Sequence, residues 1–273
     1  VGLYLAIKGY NEWALVAQMV IASYLGAGLL LWRSKWTPQL RFNYQVFRPH
    51  WNFGRSLLFE AILSTAVTNL RVLIVGMFIS PVSSGIYYFS NKMAAIVYQV
   101  IPNAMSAPFL AYYGSLQNDI PALRSAFIKN LNVFIFINAA LLGALFSGSL
   151  FFIETFLDEK WIPAVPLIKA MCIFGLFYPI HALHLKLLAA LGRSDLIFKL
   201  GNYKKVYSTI FVLVAVQYGV IWVVVADIVS SLLSLLVNGY YSRNLILYSY
   251  KEQIFDICST VFVALLSIYF VPA

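Results

Sequence analysis

Long apolar segments recur along almost the whole chain and leave little polar sequence between them. Eight are long enough, or nearly so, to cross a membrane: residues 13–32, 56–80, 84–113, 126–150, 163–191, 204–218, 219–241 and 254–272. A membrane-spanning helix needs about 20 mostly apolar residues. Only 11% of the 273 residues are charged, whereas a soluble domain has about 25%. The sequence therefore predicts an all-α membrane protein built as a multi-span helical bundle.

Lysine and arginine are concentrated in every second connection between these segments. The basic connections are residues 33–55, 115–125, 192–205 and 242–253, and the opposite side is assigned only Lys92, Lys160 and Lys169. Because cytoplasmic loops carry an excess of Lys and Arg, the four basic connections are predicted to be cytoplasmic. The net charge of +9 is spread over short connections without forming one patch, which argues against a nucleic-acid partner.

A short segment near the start of the chain has a similar sequence near the end, which indicates an internal repeat. Trp13–Val20 corresponds to Trp222–Val229, 209 residues later, and each copy follows a predicted glycine turn, at Gly9 or Gly219. An internal repeat of this size in a membrane protein is typical of a transporter built from two similar bundles with the substrate site between them.

The repeat and the longest polar segment predict how the chain is organised. We predict that residues 1–32 are the last helices of an N-terminal lobe, 33–55 a cytoplasmic linker, 56–241 a C-terminal six-helix lobe and 242–273 an additional helix. The chain begins at Val1 inside one apolar run and ends at Ala273 after another. We therefore expect it to be a fragment of a larger protein.

Prolines lie inside two of the predicted spans. Pro102 and Pro108 interrupt the span 84–113, and Pro179 interrupts the span 163–191. A proline removes one helical hydrogen bond, and in lipid the freed carbonyl needs another partner. Each interruption fits either a kink that faces a watery cavity or a packed structural kink.

Three predicted spans carry polar residues at helical spacing, along one face of each helix. The stripes comprise Glu60, Ser64, Thr68 and Arg71; then Ser84, Tyr88, Asn91, Lys92, Gln99 and Asn103; and then Asp227, Ser230, Ser231, Ser234 and Asn238. Ser, Thr and Asn commonly make hydrogen bonds between membrane helices. Ionisable residues inside a membrane are costly and usually functional.

We therefore predict a substrate cavity formed by these stripes. Its candidate residues are Arg71, Lys92, Glu60, Asp227, Asn91, Gln99 and Tyr88. The hypothesis is that Arg71 and Lys92 form a cationic surface that receives an anionic group of the substrate.

The remaining reactive residues predict neither a catalytic centre nor a metal site. His181 and His184 could bind a proton, because histidine titrates near neutral pH, but tyrosine-rich packing is the favoured interpretation. Cys172 and Cys258 lie in apolar runs and are interpreted as packing residues. The sequence contains no phosphate loop, zinc motif or nucleophile elbow. We therefore predict a protein that is not an enzyme and has no cofactor.

Several short motifs resemble those of a known family. They are Asn69–Gly76, Gly85–Tyr88, Ala107–Phe109 followed by Leu116–Asp119, Glu159–Leu167 and Ala190–Leu196. In this order, and at these positions relative to the spans, they resemble the second lobe of Wzx-type polysaccharide flippases, in the MATE-like exporter superfamily. The chain departs from the family at Arg71, where many members carry Asp.

The resemblance implies a fold with two lobes and a transport function. Such proteins move an undecaprenyl-diphosphate-linked oligosaccharide from the cytoplasmic to the periplasmic leaflet by alternating access, coupled to a proton or sodium gradient. It also implies a location in a bacterial inner membrane and partners: the lipid-linked oligosaccharide, membrane lipids, and the polysaccharide polymerase and chain-length machinery. Polar stripes would supply a wet cavity for the sugar-diphosphate group, where Tyr87, Tyr88 and Tyr98 could stack on sugars.

Two other functions stay open from the sequence. A multidrug or organic-cation antiporter of the same superfamily would need an acidic cavity, and here Glu60 and Asp227 are offset by Arg71 and Lys92. A membrane polysaccharide polymerase or ligase would need a long outer loop with catalytic Arg or His. The longest predicted outer loop, about 148–162, has neither.

Overall fold

The computed structural model describes residues 2–34 and 43–269, and within these ranges the chain is helical with no β-strand. The chain divides into two compact units, residues 1–48 and 49–273. Among the residues described, five helical stretches are long and apolar enough to cross a membrane: Val16–Ser34, Leu57–Phe78, Ile120–Phe156, Glu159–Ala190 and Val220–Tyr241. The predicted fold class is confirmed: the chain is an all-α, multi-span membrane protein.

The first unit contains a helical hairpin. Helix α1 (Gly2–Ile7) packs on α2 (Asn11–Ser34). The turn between them contains Gly9, whose φ of 84° is a conformation that only glycine adopts at little cost. Ala14, in the first part of α2, is buried.

The second unit contains the helices that correspond to the predicted six-helix lobe, except for the first residues of α3, which belong to the first unit. These are α3 (Tyr44–Phe78), α4 (Pro81–Ala104), α5 (Ser106–Ser115), α6 (Ile120–Phe156), α7 (Val165–Gly175), α8 (Tyr178–Ala190), α9 (Ser194–Ala215) and α10 (Val220–Ile246), followed by α11 (Tyr250–Tyr269). A short 3₁₀ helix, Glu159–Ala164, precedes α7. The pairs α4/α5 and α7/α8 each replace one predicted span by two shorter helices.

Both interruptions occur where the prolines predict them. Helix α4 ends at Ala104 and α5 begins at Ser106, between Pro102 and Pro108. Helix α7 ends at Gly175 and α8 begins at Tyr178, immediately before Pro179.

The break between α7 and α8 shows how the lost helical hydrogen bond is replaced. In a continuous helix the Gly175 carbonyl would accept from the N–H of residue 179, which proline lacks. Instead, the buried Asn138 amide of α6 donates to the Gly175 oxygen at 2.9 Å. The side chain therefore satisfies the freed carbonyl, as an apolar environment requires.

We expect the substitution Asn138→Ala to lower the free energy of unfolding by about 1–3 kcal/mol, because it leaves the Gly175 carbonyl buried without this partner. Thermal unfolding of the purified intact protein in detergent measures the effect. Asn118→Ala is the matched control, since Asn118 is exposed. Equal stability of the two variants would show that Asn138 does not support the break.

Helix α9 begins ten residues earlier than the predicted span 204–218. Asp195 lies in its first turn, where a carboxylate interacts favourably with the helix dipole. A hydrogen bond from the Arg193 side chain lowers the pKa of Asp195 below its usual range. Most of the segment 192–205, predicted to be a connection, is thus helical, and it brings Lys204 and Lys205 onto α9.

The turn between α9 and α10 agrees with the prediction. A short 3₁₀ segment, Val216–Tyr218, is followed by Gly219, whose φ is 110°. Trp222 lies in the first turn of α10, just as Trp13 lies in the first turn of α2 after Gly9. The two copies of the internal repeat therefore begin at the same position in their respective helices.

Candidate functional site

Two polar cavities lie side by side in the second unit. The first, which we call the lysine cavity, has a volume of about 230 Å³ and is lined mainly by charged and other polar side chains of α3, α8, α9 and α10, together with Phe174 and Leu185. The second, the tyrosine cavity, has a volume of about 190 Å³ and is lined mainly by α3, α4, α7 and α10. Arg71, Phe174 and Asp227 line both cavities and form their common boundary.

An ion pair crosses this boundary. The Arg71 Nη1 atom of α3 lies 2.9 Å from Asp227 Oδ1 of α10. Arg71 Nη2 donates to the Ser208 hydroxyl at 3.0 Å, and the Tyr87 hydroxyl donates to Asp227 Oδ2 at 3.3 Å. The side chain of Asp227 is only 9% exposed. Such a carboxylate is stable in an apolar bundle only because these two partners compensate its charge.

The partners lie on faces of α3 and α10 where charged and hydroxyl residues recur at helical spacing. Within α3, Glu60 and Arg71 are eleven residues apart, which is three helical turns. Within α10, Asp227 begins a face that continues through Ser230 and Ser234, and all three residues are buried. Burying these faces against each other removes charged and hydroxyl groups from lipid.

A second ion pair lies at the other side of the lysine cavity. The Lys205 ammonium of α9 is 2.5 Å from Glu60 Oε1 and also donates to the Glu60 carbonyl at 3.3 Å. Gly201, one turn earlier on α9, makes room for this carboxylate: a Cβ atom there would lie 2.8 Å from Glu60 Oε1. A larger residue at position 201 would therefore require the Glu60 side chain to shift.

Lys204 differs from its neighbour, because within residues 2–34 and 43–269 it makes no ion pair. Its ammonium donates to the Asn238 side-chain oxygen of α10. The Asn238 amide nitrogen lies 3.0 Å from His181 Nδ1, and His181 Nε2 lies 2.8 Å from the Ser231 hydroxyl. Lys204 is thus held by a neutral partner.

The lysine cavity consequently carries an excess of positive charge. Its lining contains three cationic side chains, those of Arg71, Lys204 and Lys205, and two carboxylates, those of Glu60 and Asp227. In a medium of low dielectric constant one uncompensated charge exerts a strong field. The cavity is therefore suited to an anionic group.

The tyrosine cavity has a different chemistry. Tyr98 of α4 donates to the Asn91 side-chain oxygen at 3.3 Å and packs on Tyr178 of α8, with ring centroids 4.8 Å apart. Gln99 and Tyr87 also line this cavity. It presents hydroxyl groups, amide groups and aromatic faces, and its only charged groups among the described residues are the shared Arg71 and Asp227.

Comparison with known proteins decides the family. A family model described as "Polysaccharide biosynthesis protein" matches residues 1–166, which is more than half of the chain. The chain belongs to this family. The resemblance found in the sequence motifs is confirmed.

Two named proteins show the similarity. The chain is 26% identical over 200 residues to the teichuronic acid biosynthesis protein TuaB of Bacillus subtilis, covering 71% of this chain and 41% of that protein. It is 26% identical over 172 residues to the lipopolysaccharide biosynthesis protein WzxC of Escherichia coli, covering 63% of this chain and 35% of that protein. The chain thus spans less than half the length of these relatives. No solved structure matches it significantly.

The structure brings most of the predicted site residues together. Glu60, Arg71 and Asp227 line the lysine cavity, and Asn91 and Gln99 line the tyrosine cavity. Lys92 and Tyr88 line neither: both are exposed, and the Lys92 ammonium lies 5.4 Å from the centroid of the Tyr88 ring. A role for these two residues in substrate binding remains a prediction.

Sequence reasoning did not assign Lys204, Lys205 and Ser208 to the cavity. The signal was present, because Gly201, Lys204, Lys205 and Ser208 follow the spacing of one helical face. It was missed because a cluster of lysines next to a polar connection favoured a loop. Among residues 2–34 and 43–269, no three potential metal-binding side chains come together.

Proposed function

We propose that the intact protein is a flippase that moves an undecaprenyl-diphosphate-linked oligosaccharide from the cytoplasmic to the periplasmic leaflet. The observation that carries this proposal is the lysine cavity, a polar cavity with an excess of positive charge inside an apolar helical bundle. Membership of the polysaccharide biosynthesis family supports the same conclusion.

The two cavities match two parts of such a substrate. A diphosphate carries several anionic oxygens, and Arg71, Lys204 and Lys205 offer donors for charge-assisted hydrogen bonds. Sugars carry hydroxyl groups, which fit the amides of Asn91 and Gln99 in the tyrosine cavity. The lipid tail would stay in the bilayer. In this proposal the protein binds and moves its substrate and makes or breaks no covalent bond.

Translocation requires the site to face each side of the membrane in turn. We propose that residues 33–55 link two lobes, and that rocking of the lobes alternates the access. The connections 33–55, 115–125, 192–205 and 242–253 are proposed to face the cytoplasm of a bacterial inner membrane, on the basis of their Lys and Arg content. A proton or sodium gradient would drive the cycle. The polysaccharide polymerase and chain-length machinery would act on the translocated product.

Deletion of the gene in its native host tests this proposal. We expect loss of the surface polysaccharide and accumulation of complete lipid-linked repeat units that face the cytoplasm. A plasmid carrying the intact gene should restore the polysaccharide. Complete but unpolymerised units in the periplasm would instead indicate a polymerase, and normal polysaccharide with increased drug sensitivity would indicate a multidrug antiporter.

A further inference from the structure

The Arg71–Asp227 ion pair lies between two cavities that the proposed substrate would occupy together. Arg71, Phe174 and Asp227 separate the lysine cavity from the tyrosine cavity. In the proposed substrate, however, the diphosphate is joined covalently to the first sugar. A substrate with its diphosphate in one cavity and its sugar in the other must therefore cross this boundary, and a boundary side chain must move.

Each member of the ion pair keeps a second, neutral partner if the pair opens. Arg71 Nη2 donates to the Ser208 hydroxyl at 3.0 Å, and this hydroxyl donates to the Lys205 carbonyl at 3.2 Å. The Tyr87 hydroxyl donates to Asp227 Oδ2 at 3.3 Å, whereas the short contact of the ion pair uses Oδ1. Separation of the two charges would leave neither side chain without a hydrogen-bond partner, which lowers the cost of opening a buried pair.

Arg71 is the more accessible member of the pair. Its side chain is 22% exposed, against 9% for Asp227. A guanidinium group has several N–H donors in a fixed fork and can hold a phosphate in a bidentate manner. Among residues 2–34 and 43–269, the buried Arg71 Nε atom has no hydrogen-bond partner. Arg71 therefore retains donor capacity for an anion that reaches it from the lysine cavity.

The charge of Arg71 is nevertheless already compensated by Asp227. Because the two charged groups are 2.9 Å apart, an approaching anion is attracted by Arg71 and repelled by Asp227. In a bundle of low dielectric constant, burying an anion without its own counter-ion is costly. The Asp227 carboxylate and an anionic substrate group therefore compete for the same cation.

We propose that Asp227 controls the affinity of the lysine cavity for phosphate. Its carboxylate pairs with Arg71 when no substrate is bound, and the diphosphate of the substrate displaces it. The inference rests on the proposed function and assigns to Asp227 the regulation of substrate binding. Displacement opens the boundary, so that the attached sugar enters the tyrosine cavity. When the ion pair forms again it favours release, which a transport site requires as much as binding.

Binding of a phosphate probe tests this competition without any transport assay. The probe is radiolabelled inorganic pyrophosphate, which has the phosphoanhydride group of the proposed substrate but neither its sugar nor its lipid. Its dissociation constant is measured by equilibrium dialysis with the purified intact protein in detergent, at one neutral pH and fixed ionic strength, without divalent metal ions. Thermal unfolding of each variant is measured in parallel.

We expect Asp227→Asn to bind pyrophosphate at least about tenfold more tightly than the parent, a difference of about 1.4 kcal/mol. The affinity should rise even though the substitution removes one member of a buried ion pair, and a residue that only supported the fold would not have this effect. Glu252→Gln is the matched control, because Glu252 pairs with Arg124 outside the lysine cavity. It should bind pyrophosphate like the parent. Combining Arg71→Met with Asp227→Asn should abolish the gain, since no guanidinium is then released.

Tyr87→Phe provides a second test in the opposite direction, which remains informative if Asp227→Asn is unstable. The substitution removes only the hydroxyl that donates to Asp227. A displaced carboxylate would then have no partner, so displacement becomes more costly. We expect Tyr87→Phe to bind pyrophosphate several-fold more weakly than the parent.

Three results would overturn the proposal. Unchanged or weaker binding by folded Asp227→Asn would show that the carboxylate does not compete with the anion. A gain that persists without Arg71 would show that the anion uses another cation. Equal or tighter binding by Tyr87→Phe would show that Asp227 is not displaced. Because these measurements involve no transport, the gene-deletion test of flippase activity can succeed or fail independently of them.

Discussion

Replacing Arg71 with methionine is expected to destabilise the protein and abolish transport. The substitution leaves the Asp227 carboxylate buried, with only the Tyr87 hydroxyl as a partner among the contacts described. Removing one member of a buried ion pair typically costs about 3–5 kcal/mol. The thermal unfolding temperature of the purified intact protein and the restoration of surface polysaccharide in the deletion strain measure the two effects.

A double variant separates stability from function. Arg71→Met combined with Asp227→Leu removes both charges, and replacing a buried pair by apolar groups is often neutral or stabilising. We expect the double variant to regain most of the lost stability without regaining transport, because the cavity has lost its arginine. Arg124→Met is the control: Arg124 pairs with the exposed Glu252 at 2.7 Å, and exposed pairs contribute about 0–1 kcal/mol. Transport by the stable double variant would show that Arg71 only supports the fold.

The same substitution is expected to affect different properties at the two adjacent lysines of α9: transport at Lys204 and stability at Lys205. Lys204→Met should lower transport at least about tenfold, the effect of losing about 1.4 kcal/mol of binding to the transported anion, with little change in stability. Lys205→Met should mainly lower stability, because it leaves the Glu60 carboxylate without its ion pair. Unfolding temperature and polysaccharide restoration are measured for both variants at matched protein levels.

Two further variants make this comparison decisive. Glu60→Gln in the Lys205→Met background should recover stability, since no buried charge then lacks a partner. Lys92→Met is the surface comparison, because Lys92 is exposed and lines neither cavity, and it should reduce transport less than Lys204→Met. If Lys204→Met transports at the parental rate, the excess positive charge of the cavity is not used for substrate binding.

Much of the fold was predictable because lipid imposes strong constraints on sequence. Apolar length identified the five described helical stretches that can cross a membrane, but the predicted spans 84–113, 204–218 and 254–272 are not among them. The prolines at 102, 108 and 179 correctly placed the two broken helices. The positive φ of Gly219 agrees with the predicted turn. Asn138 was not predicted as the partner of Gly175, because a hydrogen bond between helices far apart in sequence depends on tertiary packing and leaves no local pattern.

The site was predictable residue by residue but not pair by pair. Helical spacing placed Glu60 and Arg71 on one face and identified Asp227 on another helix. Their actual partners, Lys205 for Glu60 and Asp227 for Arg71, depend on how α9 and α10 pack against α3. Lys204 was missed because the start of α9 was predicted too late, which placed both cavity lysines at the cytoplasmic end of the predicted span instead of three turns into the helix.

Flipping of a lipid-linked oligosaccharide by the purified intact protein is the most direct test of the central claim. The substrate is the lipid-linked oligosaccharide extracted from the deletion strain, and it is reconstituted with the protein in sealed vesicles. An impermeant glycan-oxidising reagent then measures the fraction of this lipid whose sugars face the outside of the vesicle. We predict that the protein exchanges this lipid between leaflets and that Lys204→Met slows the exchange at least about tenfold. Exchange no faster than in protein-free vesicles, or equally fast in Lys204→Met, would contradict the account.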